Sequence, residues 1–357
     1  MGAKVLIRAL IVDDSLVVRE HLQRLLTREP GVVIVGMAGN GEEAVSLARQ
    51  TRPDVITMDL NMPLMGGIDA TRCIMETMPV PIVVVSSKWN PDEMVTTFEA
   101  MSAGALAVLE KPLGEGHPRF EQSAKEFVDT IKMMAGVKVV KRRAKQPIGR
   151  PLPAAVPRIK RQQECELNLV AIGASIGGPP ALQIILTTLE KPFRLPIVIC
   201  QHIAPGFLLG LVDWLNGTTG FPVHVAAEGD SLLPGHAYLA PDSFHMGIDG
   251  SHRIRLSSSE PECGIRPSVS YLLRSVARVY GAGAVGVLLT GMGRDGAPEL
   301  KLMKDVGAVT IVQDKKSSVV HGMPGEAINL GAAMYVMEPV AIATMLNTLA
   351  EPRQNSL

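Results

Sequence analysis

The sequence is poor in cysteine and aromatic residues and has no net charge. Its four cysteines form neither a CxxC pair nor a close cluster: Cys73, Cys165, Cys200 and Cys263. That spacing argues against a disulfide framework or a zinc site and fits a reducing compartment. Lysine plus arginine and aspartate plus glutamate number 35 each, so nothing in the overall charge favours nucleic acid or anionic membrane as a partner.

Long apolar segments are absent as well. No run reaches the roughly 18 apolar residues that a transmembrane helix needs. The apolar start of the chain is too short for a signal peptide, because Asp13 and Asp14 follow at once. We therefore expect a cytoplasmic protein without membrane insertion. The hydrophobic fraction of 46% over 357 residues is enough for two globular domains.

Short apolar runs alternate with segments of helical spacing in two parts of the chain. The first part has five apolar runs, at 5–12, 32–38, 54–59, 81–87 and 105–111. The second part has seven, at 167–175, 196–203, 223–228, 236–241, 284–291, 308–314 and 332–337. Alternating strands and helices predict an α/β fold with a parallel sheet and helices on both faces. We therefore predict two such sheets, of which the second is larger.

The stretch 138–163 separates the two patterns. It contains nine lysines and arginines, four prolines and no acid. Such a composition buries too little apolar surface to fold and predicts a solvated linker. A nucleic-acid contact is the alternative, weakened by the lack of aromatic residues among the charges. We therefore divide the chain into a first domain at 1–135, a linker at 136–165 and a second domain at 166–357.

Polar side chains follow the strands of the first predicted sheet at one edge. They are Asp13 and Asp14, Asp59 and Asn61, Ser86, and Lys111. Ligands gather at the carboxyl ends of strands in open α/β sheets, and three carboxylates there repel each other unless a hard cation such as Mg²⁺ lies among them. The pattern predicts Asp59 as a phosphate acceptor, with Lys111 and Ser86 binding the phosphate. It predicts Mg²⁺ between the three aspartates and the backbone of Asn61.

The strings VDDS (12–15), MDLNMP (58–63) and KP (111–112) resemble the response-regulator receiver family. The resemblance covers nearly the whole first domain. It implies a flavodoxin-like fold with five parallel strands, and a histidine kinase as the phosphate donor. Where the family often has an aromatic residue, three positions before the lysine, this chain has Val108.

The second domain contains a G-x-S-x-G pattern around Ser175. The flanking glycines let the backbone turn sharply and expose the hydroxyl, and the amides of Ile176 and Gly177, near a helix N-terminus, can stabilise an oxyanion. On its own the pattern also fits a helix-capping serine in a nucleotide-binding-like turn. The motif G-x-G-x-x-G is absent, because Ser175 stands where its second glycine would be.

A serine nucleophile needs a base and a group that orients the base. His202 and Asp295 each follow a strong predicted strand. Asp242 and His245 form a rival pair in LAPDSFHM, and spacing does not choose between the pairs. The order Ser, His, Asp differs from the order in α/β-hydrolases.

Residues 167–350 resemble the chemotaxis-type protein-glutamate methylesterase family. The matching strings are GASIGG (173–178), QHI (201–203), LPGHAYLAP (233–241), HM (245–246), PSV (267–269), LLTGMGRDG (288–296) and SSVVHGMPG (317–325). The resemblance implies a doubly wound, Rossmann-like and mostly parallel domain that needs no cofactor.

The same resemblance implies a role for each site residue. Ser175 is then the nucleophile, His202 the general base and acid, and Asp295 the residue that orients it. The amide of Met292 lies beside the oxyanion. Gln201 and the 241–246 loop are candidates for the substrate edge or for the layer of residues behind the reacting groups. The expected reaction is hydrolysis of glutamyl methyl esters on chemoreceptors, with deamidation of glutamines by the same chemistry.

Three other functions remain as alternatives at this stage. A non-catalytic response regulator with a binding output domain would not need Ser175, His202 and Asp295 together. A dinucleotide-dependent oxidoreductase is disfavoured by the missing glycine motif. A DNA-binding output domain is disfavoured by the neutral charge and the lack of a helix-turn-helix signal.

Overall fold

The structure is a computed structural model that describes residues 6–86, 91–137, 139, 166–262 and 264–351. The chain divides into two compact units, residues 1–149 and 150–357. Most of the predicted linker at 136–165 lies outside the described residues, as do Cys165 and Cys263, so the predicted domain limits stay a prediction. No helix in the described part of the chain has the length and hydropathy of a transmembrane span.

The first unit is a parallel sheet with helices on both faces. Its strands are β1 (Ile7–Val12), β2 (Val32–Ala38), β3 (Val55–Met58), β4 (Ile82–Ser86) and β5 (Ala107–Glu110). Its helices are α1 (Leu16–Thr27), α2 (Gly41–Thr51), α3 (Gly67–Thr77), α4 (Pro91–Ala103) and α5 (Phe120–Ala135). The strand order β2-β1-β3-β4-β5, with every pair parallel, confirms the predicted flavodoxin-like fold.

Buried apolar strands and capped helices explain this unit. The strands are continuous apolar runs because both faces of the sheet are covered, and Leu10, Ile56 and Val84 are fully buried. Helix α2 begins after Asn40, whose side chain accepts a hydrogen bond from the amide of Glu43 at 2.9 Å. The Glu43 carboxylate accepts in return from the amide of Gly39 at 2.8 Å, so both ends of this first turn are satisfied.

The second unit contains a larger parallel sheet. Its strands are β6 (Leu169–Ala174), β7 (Ile197–Gln201), β8 (Val223–Val225), β9 (Ala237–Leu239), β12 (Ala284–Leu288), β13 (Val309–Gln313) and β14 (Tyr335–Met337). Its helices are α6 (Gly178–Thr188), α7 (Leu208–Thr219), α8 (Val269–Tyr280), α9 (Ala297–Asp305), α10 (Met323–Asn329) and α11 (Pro339–Ala350). The order β14-β13-β12-β6-β7-β9-β8, again all parallel, confirms the predicted doubly wound sheet.

An antiparallel hairpin, β10 (His245–Ile248) and β11 (Ile254–Ser257), was not predicted from the sequence. Both strands have only four residues, HMGI and IRLS, which is too short for a periodic pattern to stand out in the sequence. The hairpin packs on α8 instead of extending the main sheet: the amide of Ile248 donates to the Ser275 hydroxyl at 3.0 Å.

The order of the large sheet reverses at β6. The chain adds β7, β9 and β8 on one side of β6, and β12, β13 and β14 on the other. In open α/β sheets the crevice at such a reversal, outside the carboxyl ends of the strands, is where ligands bind. Ser175 directly follows β6 and therefore stands at this crevice.

In the first unit, the start of α3 is pressed against the backbone of Asp59. A Cβ atom on Gly67 would lie 2.0 Å from the Asp59 carbonyl oxygen, whereas one on the preceding Gly66 would lie 3.4 Å from the Leu60 carbonyl oxygen. The amide of Gly67 also donates to the Leu60 carbonyl at 2.9 Å. Only glycine therefore allows α3 to approach the end of β3 this closely.

We predict that Gly67→Ala destabilises the first unit by about 1–3 kcal/mol, because the added methyl group forces α3 away from Asp59. The matched variant Gly66→Ala should cost less than about 1 kcal/mol, the cost of a weaker helix cap. Hydrogen exchange of the β1 and β3 amides, measured by mass spectrometry, reports the stability of this unit alone. Equal protection in the two variants would contradict the prediction.

Candidate functional site

Three carboxylates and one ammonium group meet at the carboxyl edge of the first sheet. Val12 and Met58 are paired at the ends of β1 and β3, so the following aspartates lie side by side. Oxygen atoms of Asp13, Asp14 and Asp59 all lie within 4.8 Å of one another. The Lys111 ammonium lies 2.8 Å from Asp13 Oδ2 and 3.1 Å from Asp59 Oδ1.

The charges of this cluster are strongly coupled. Burial raises the pKa of Asp59 to about 6, although the Lys111 ammonium lowers it, and the Asp13 carboxylate adds to the rise. Burial lowers the pKa of Lys111, but its hydrogen bond to Asp13 and the charge of Asp59 outweigh burial and raise it overall. The single ammonium of Lys111 does not balance the charges of the three carboxylates, so the cluster keeps excess negative charge. The cluster can therefore hold a metal ion, and its oxygen atoms suit a hard cation such as Mg²⁺.

The other predicted residues of the first unit lie at the same edge. Ser86 is the last residue of β4 and is buried, and its carbonyl accepts from the Lys111 amide at 3.0 Å. Asn61 lies exposed in the loop after β3. Val108 on β5 is partly buried and packs on the core.

In the second unit, strand register brings Ser175 and His202 together. Ala174 and Gln201 are paired at the ends of β6 and β7, so the next residue of each strand leaves the sheet beside the other. The His202 amide donates to the Ala174 carbonyl at 2.9 Å. In the described residues no hydrogen bond joins the Ser175 hydroxyl to His202. Such bonds are often long without substrate and tighten when it binds.

The backbone of Ser175 is fixed from three sides. Its amide donates to the Thr290 carbonyl at 3.0 Å, and its carbonyl accepts from the Gly178 amide at 2.8 Å and from the Gln201 side chain at 2.8 Å. Gly177 has a φ of +78°, which favours glycine and completes the sharp turn into α6. Gln201 thus holds the backbone of the serine.

Asp295 is the most heavily hydrogen-bonded side chain of the site. Its Oδ2 lies 2.9 Å from Nε2 of His202. Both oxygens also accept from the start of α8, from the Ser268 hydroxyl at 2.9 Å and from the amides of Val269 at 2.7 Å and Ser270 at 3.0 Å. Burial favours the protonated acid, but the hydrogen bonds and charge of His202 and the donors of Ser270 hold the pKa of Asp295 well below its usual range.

Met292 lies exposed between two glycines in the loop after β12. The residue is 52% exposed, and Gly293 has a φ of +78°. The same loop is tied to the serine turn by Thr290, whose hydroxyl donates to the Ile176 carbonyl at 2.9 Å and accepts from the Val320 amide at 3.0 Å.

Sequence reasoning gave no role to Thr290 or Ser268. Both lie in strings that carry the resemblance, LLTGMGRDG and PSV. The contacts that matter for the site, however, are with the Ile176 carbonyl and the Asp295 carboxylate, 114 and 27 residues away along the chain. No spacing rule reports such contacts. The available signals were the strings themselves and, for Ser268, its place as a serine directly before a helix.

The structure does not join the rival pair. The Asp242 carboxylate accepts from the Gly206 amide at 2.7 Å. His245 uses both ring nitrogens elsewhere, on the Ser268 amide and the Glu260 carbonyl. Within the described residues no hydrogen bond connects Asp242 with His245.

Comparisons with known proteins identify the family of both units. The family model described as CheB methylesterase matches residues 170–346, and the model described as response regulator receiver domain matches residues 9–118. A Geobacter metallireducens protein named protein-glutamate methylesterase/protein-glutamine glutaminase 4 is 53% identical, over 97% of this chain and 99% of its own. The chain belongs to the CheB methylesterase family.

Two further relatives extend the match. A Nitrosospira multiformis protein named protein-glutamate methylesterase/protein-glutamine glutaminase is 50% identical, over 98% of each chain. The crystal structure of the Thermotoga maritima CheB methylesterase catalytic domain has a TM-score of 0.50 and 36% identity, and the match covers 52% of this chain and 99% of that one. These matches confirm the family resemblance, the predicted fold and the predicted enzyme class.

The ionised state of Asp295 makes the stability of the second unit depend on pH. The folded protein binds the Asp295 proton more weakly than the unfolded chain does. The carboxylate therefore adds stability above the unfolded pKa of about 4, and this contribution is lost as the pH falls below it.

We predict that Asp295→Asn lowers the free energy of unfolding of the second unit by roughly 2–3 kcal/mol at pH 7, because an amide cannot accept from every donor that faces the carboxylate. The difference from the unchanged chain should narrow below about pH 4. Urea unfolding of the variant and of the unchanged chain, at pH 7 and below about pH 4, measures this difference in the free energy of unfolding. Asp213→Asn, at an exposed position of α7, is the control, and a pH-independent difference would contradict the prediction.

Proposed function

We propose that this chain hydrolyses glutamyl methyl esters on chemoreceptor proteins, with Ser175 as nucleophile, and that phosphorylation of Asp59 raises this activity. The observation that carries the proposal is the 2.9 Å contact between His202 and Asp295 beside a buried serine at the reversal of the sheet. The names of the relatives supply the substrate class.

The hydrogen bonds of Asp295 indicate which nitrogen of His202 acts as the base. An ionised carboxylate only accepts hydrogen bonds, so Nε2 of His202, which faces Asp295, carries the ring hydrogen. Nδ1 then holds the free lone pair. Because Ser175 and His202 leave paired strand ends, Nδ1 is the nitrogen available to the serine hydroxyl.

The proposed reaction has two halves. Oγ of Ser175 attacks the ester carbonyl carbon while Nδ1 of His202 takes the hydroxyl proton. The bond to the methoxy oxygen then breaks, His202 gives that oxygen the proton, and methanol leaves an acyl-serine. Water attacks the acyl carbon, again losing a proton to His202. The bond to Oγ breaks, Oγ regains the proton, and glutamate is released.

Backbone amides stabilise the negative oxygen of each tetrahedral intermediate in this proposal. The candidates are the amides of Met292, Ile176 and Gly177, which follow β12 and β6 at the same edge. Thr290 supports this role because its hydroxyl ties the Ile176 carbonyl to the neighbouring loop. The same steps on a glutamine side chain would release ammonia and deamidate it.

Asp59 is the proposed phosphate acceptor of the first unit, with a histidine kinase as donor. Mg²⁺, held by Asp13, Asp14, Asp59 and the backbone of Asn61, would neutralise phosphate charge when bound. The Lys111 ammonium already contacts Asp59, and the Ser86 hydroxyl would donate to the phosphate. A kinase donor and the cytoplasmic part of receptors as substrate imply a cytoplasmic location.

We predict that replacing Ser175, His202 or Asp295 with alanine lowers methanol release from a methyl-esterified receptor fragment by about 10³-fold or more, and that double variants cost little beyond the worst single one. His252→Asn, in the exposed turn of the hairpin, should keep full activity. Undiminished methanol release by Ser175→Ala would exclude the serine mechanism.

We predict that acetyl phosphate with Mg²⁺ adds one phosphoryl group to the chain and raises methanol release, and that EDTA prevents both. Asp59→Asn should take up no phosphate, because the acceptor oxygen is gone. Asp69→Asn, an exposed change on α3, should behave as the unchanged chain. Intact-mass measurement gives the phosphate count, and phosphate on Asp59→Asn at the normal rate would show that another residue is the acceptor.

A further inference from the structure

A second histidine lies behind Asp295 and takes no part in the proposed chemistry. His245 on β10 is 0% exposed. The amide of Ser268 donates to its Nδ1 at 3.2 Å, and its Nε2 lies 3.1 Å from the Glu260 carbonyl oxygen. Its ring stacks on Tyr271, with centroids 4.8 Å apart and planes inclined by 17°.

These partners define the form of the His245 ring. An amide N–H only donates, so Nδ1 must present its lone pair to Ser268. A carbonyl oxygen only accepts, so Nε2 must carry the hydrogen. A ring with hydrogens on both nitrogens would turn an N–H toward the Ser268 N–H. His245 therefore fits its site as one neutral tautomer.

Ser268 connects this ring to Asp295. It is the residue that caps α8, and its hydroxyl donates to Asp295 Oδ1 at 2.9 Å. The next two amides, of Val269 and Ser270, bind the same carboxylate. Asp295 in turn faces His202 at 2.9 Å. One continuous series of hydrogen bonds thus runs from the Glu260 carbonyl to the proposed base.

The hairpin gives His245 a firm support. Ile248, at the other end of β10, donates from its amide to Ser275 on α8 at 3.0 Å. A Cβ atom on Gly247 would lie 3.0 Å from Tyr271 Cε1, so the strand and the helix pack closely. These contacts fix the position of His245 along the axis of α8, beside the N-terminus of that helix.

We infer that His245 is a positioning residue, which fixes Ser268 and the first turn of α8 so that Asp295 holds His202 in the reactive orientation. The inference rests on the proposed function. Without Nδ1, the buried Ser268 amide loses its acceptor, and a buried unpaired donor is costly enough to shift the cap. A shift of about 1 Å at a catalytic group can cost up to ~10²-fold in rate.

Three replacements of His245 in the full chain separate its hydrogen bonds from its packing. His245→Phe keeps the ring on Tyr271 and loses both hydrogen bonds. His245→Asn keeps an acceptor near the place of Nδ1, whereas His245→Gln reaches the place of Nε2 and offers no acceptor to Ser268. His252→Asn is the control, since that histidine packs on Tyr280 in the turn of the same hairpin.

We expect His245→Phe and His245→Gln to lower kcat for methanol release about tenfold with KM unchanged, because Asp295 is displaced and the substrate surface is not. His245→Asn should recover most of the loss, and the control should lose nothing. If His245→Phe does not fold, the Asn and Gln variants still decide. Equal activity of these two variants, or unchanged activity of His245→Phe, would overturn the inference.

A double variant tests whether His245 acts through Asp295. In the Asp295→Ala background, His245→Phe should cost nothing further, because the carboxylate that it positions is gone. An additional tenfold loss would mean general damage and overturn the inference.

Labelling of Ser175 by an organophosphorus probe separates this inference from the proposed substrate, because labelling needs His202 and no receptor. If the chain releases no methanol but labels Ser175 about tenfold faster than His245→Phe does, the substrate is wrong and the positioning role holds. Equal labelling rates would overturn the positioning role by itself.

Discussion

The second unit depends on one buried negative charge, the carboxylate of Asp295. Moving a carboxylate out of water is costly unless hydrogen-bond donors replace the water. Here the hydroxyl of Ser268, the amides of Val269 and Ser270 and the ring of His202 do so. Three of these donors belong to the start of α8, where the unpaired amides and the helix dipole favour an anion. The carboxylate therefore satisfies the helix and orients the histidine at once.

In the first unit, the surroundings of the buried Asp59 shift its pKa in the opposite direction. Burial and the neighbouring Asp13 carboxylate disfavour the ionised form of Asp59, whereas the Lys111 ammonium favours it. The net effect raises the pKa of Asp59 to about 6. Asp295 has donors on both oxygens, and its pKa falls. The two environments match the two proposed roles. The carboxylate of Asp59 has too few donors to balance its charge, which suits the binding of a cation and the acceptance of a phosphoryl group. Both oxygens of Asp295 already accept hydrogen bonds, which suits a residue that only positions its neighbours.

Features of the fold and the site were predictable from the sequence where the signal lies in neighbouring residues, and not where it depends on distant ones. Strands and their order along the chain were predictable because long apolar runs mark buried parallel strands, and polar residues after those runs meet at one sheet edge. Asp13, Asp59, Ser175 and His202 are of this kind. The hairpin was missed because its strands are short. Spacing alone did not separate Asp295 from Asp242, and only the resemblance favoured Asp295. In the structure Asp295 faces His202, whereas Asp242 binds the Gly206 amide.

The position of Asp295 also depends on residues that lack side chains. A Cβ atom on Gly173 would lie 2.2 Å from Val269 Cγ1, and one on Gly296 would lie 2.3 Å from the same atom. Both glycines thus make room for the first residue of α8, one on β6 and one beside Asp295. A methyl group at either place would push α8 outward and carry away the amides that bind the carboxylate. The charge and the packing are therefore not separable here: α8 can donate to Asp295 only because Gly173 on β6 and Gly296 at the start of α9 carry no side chain where Val269 packs.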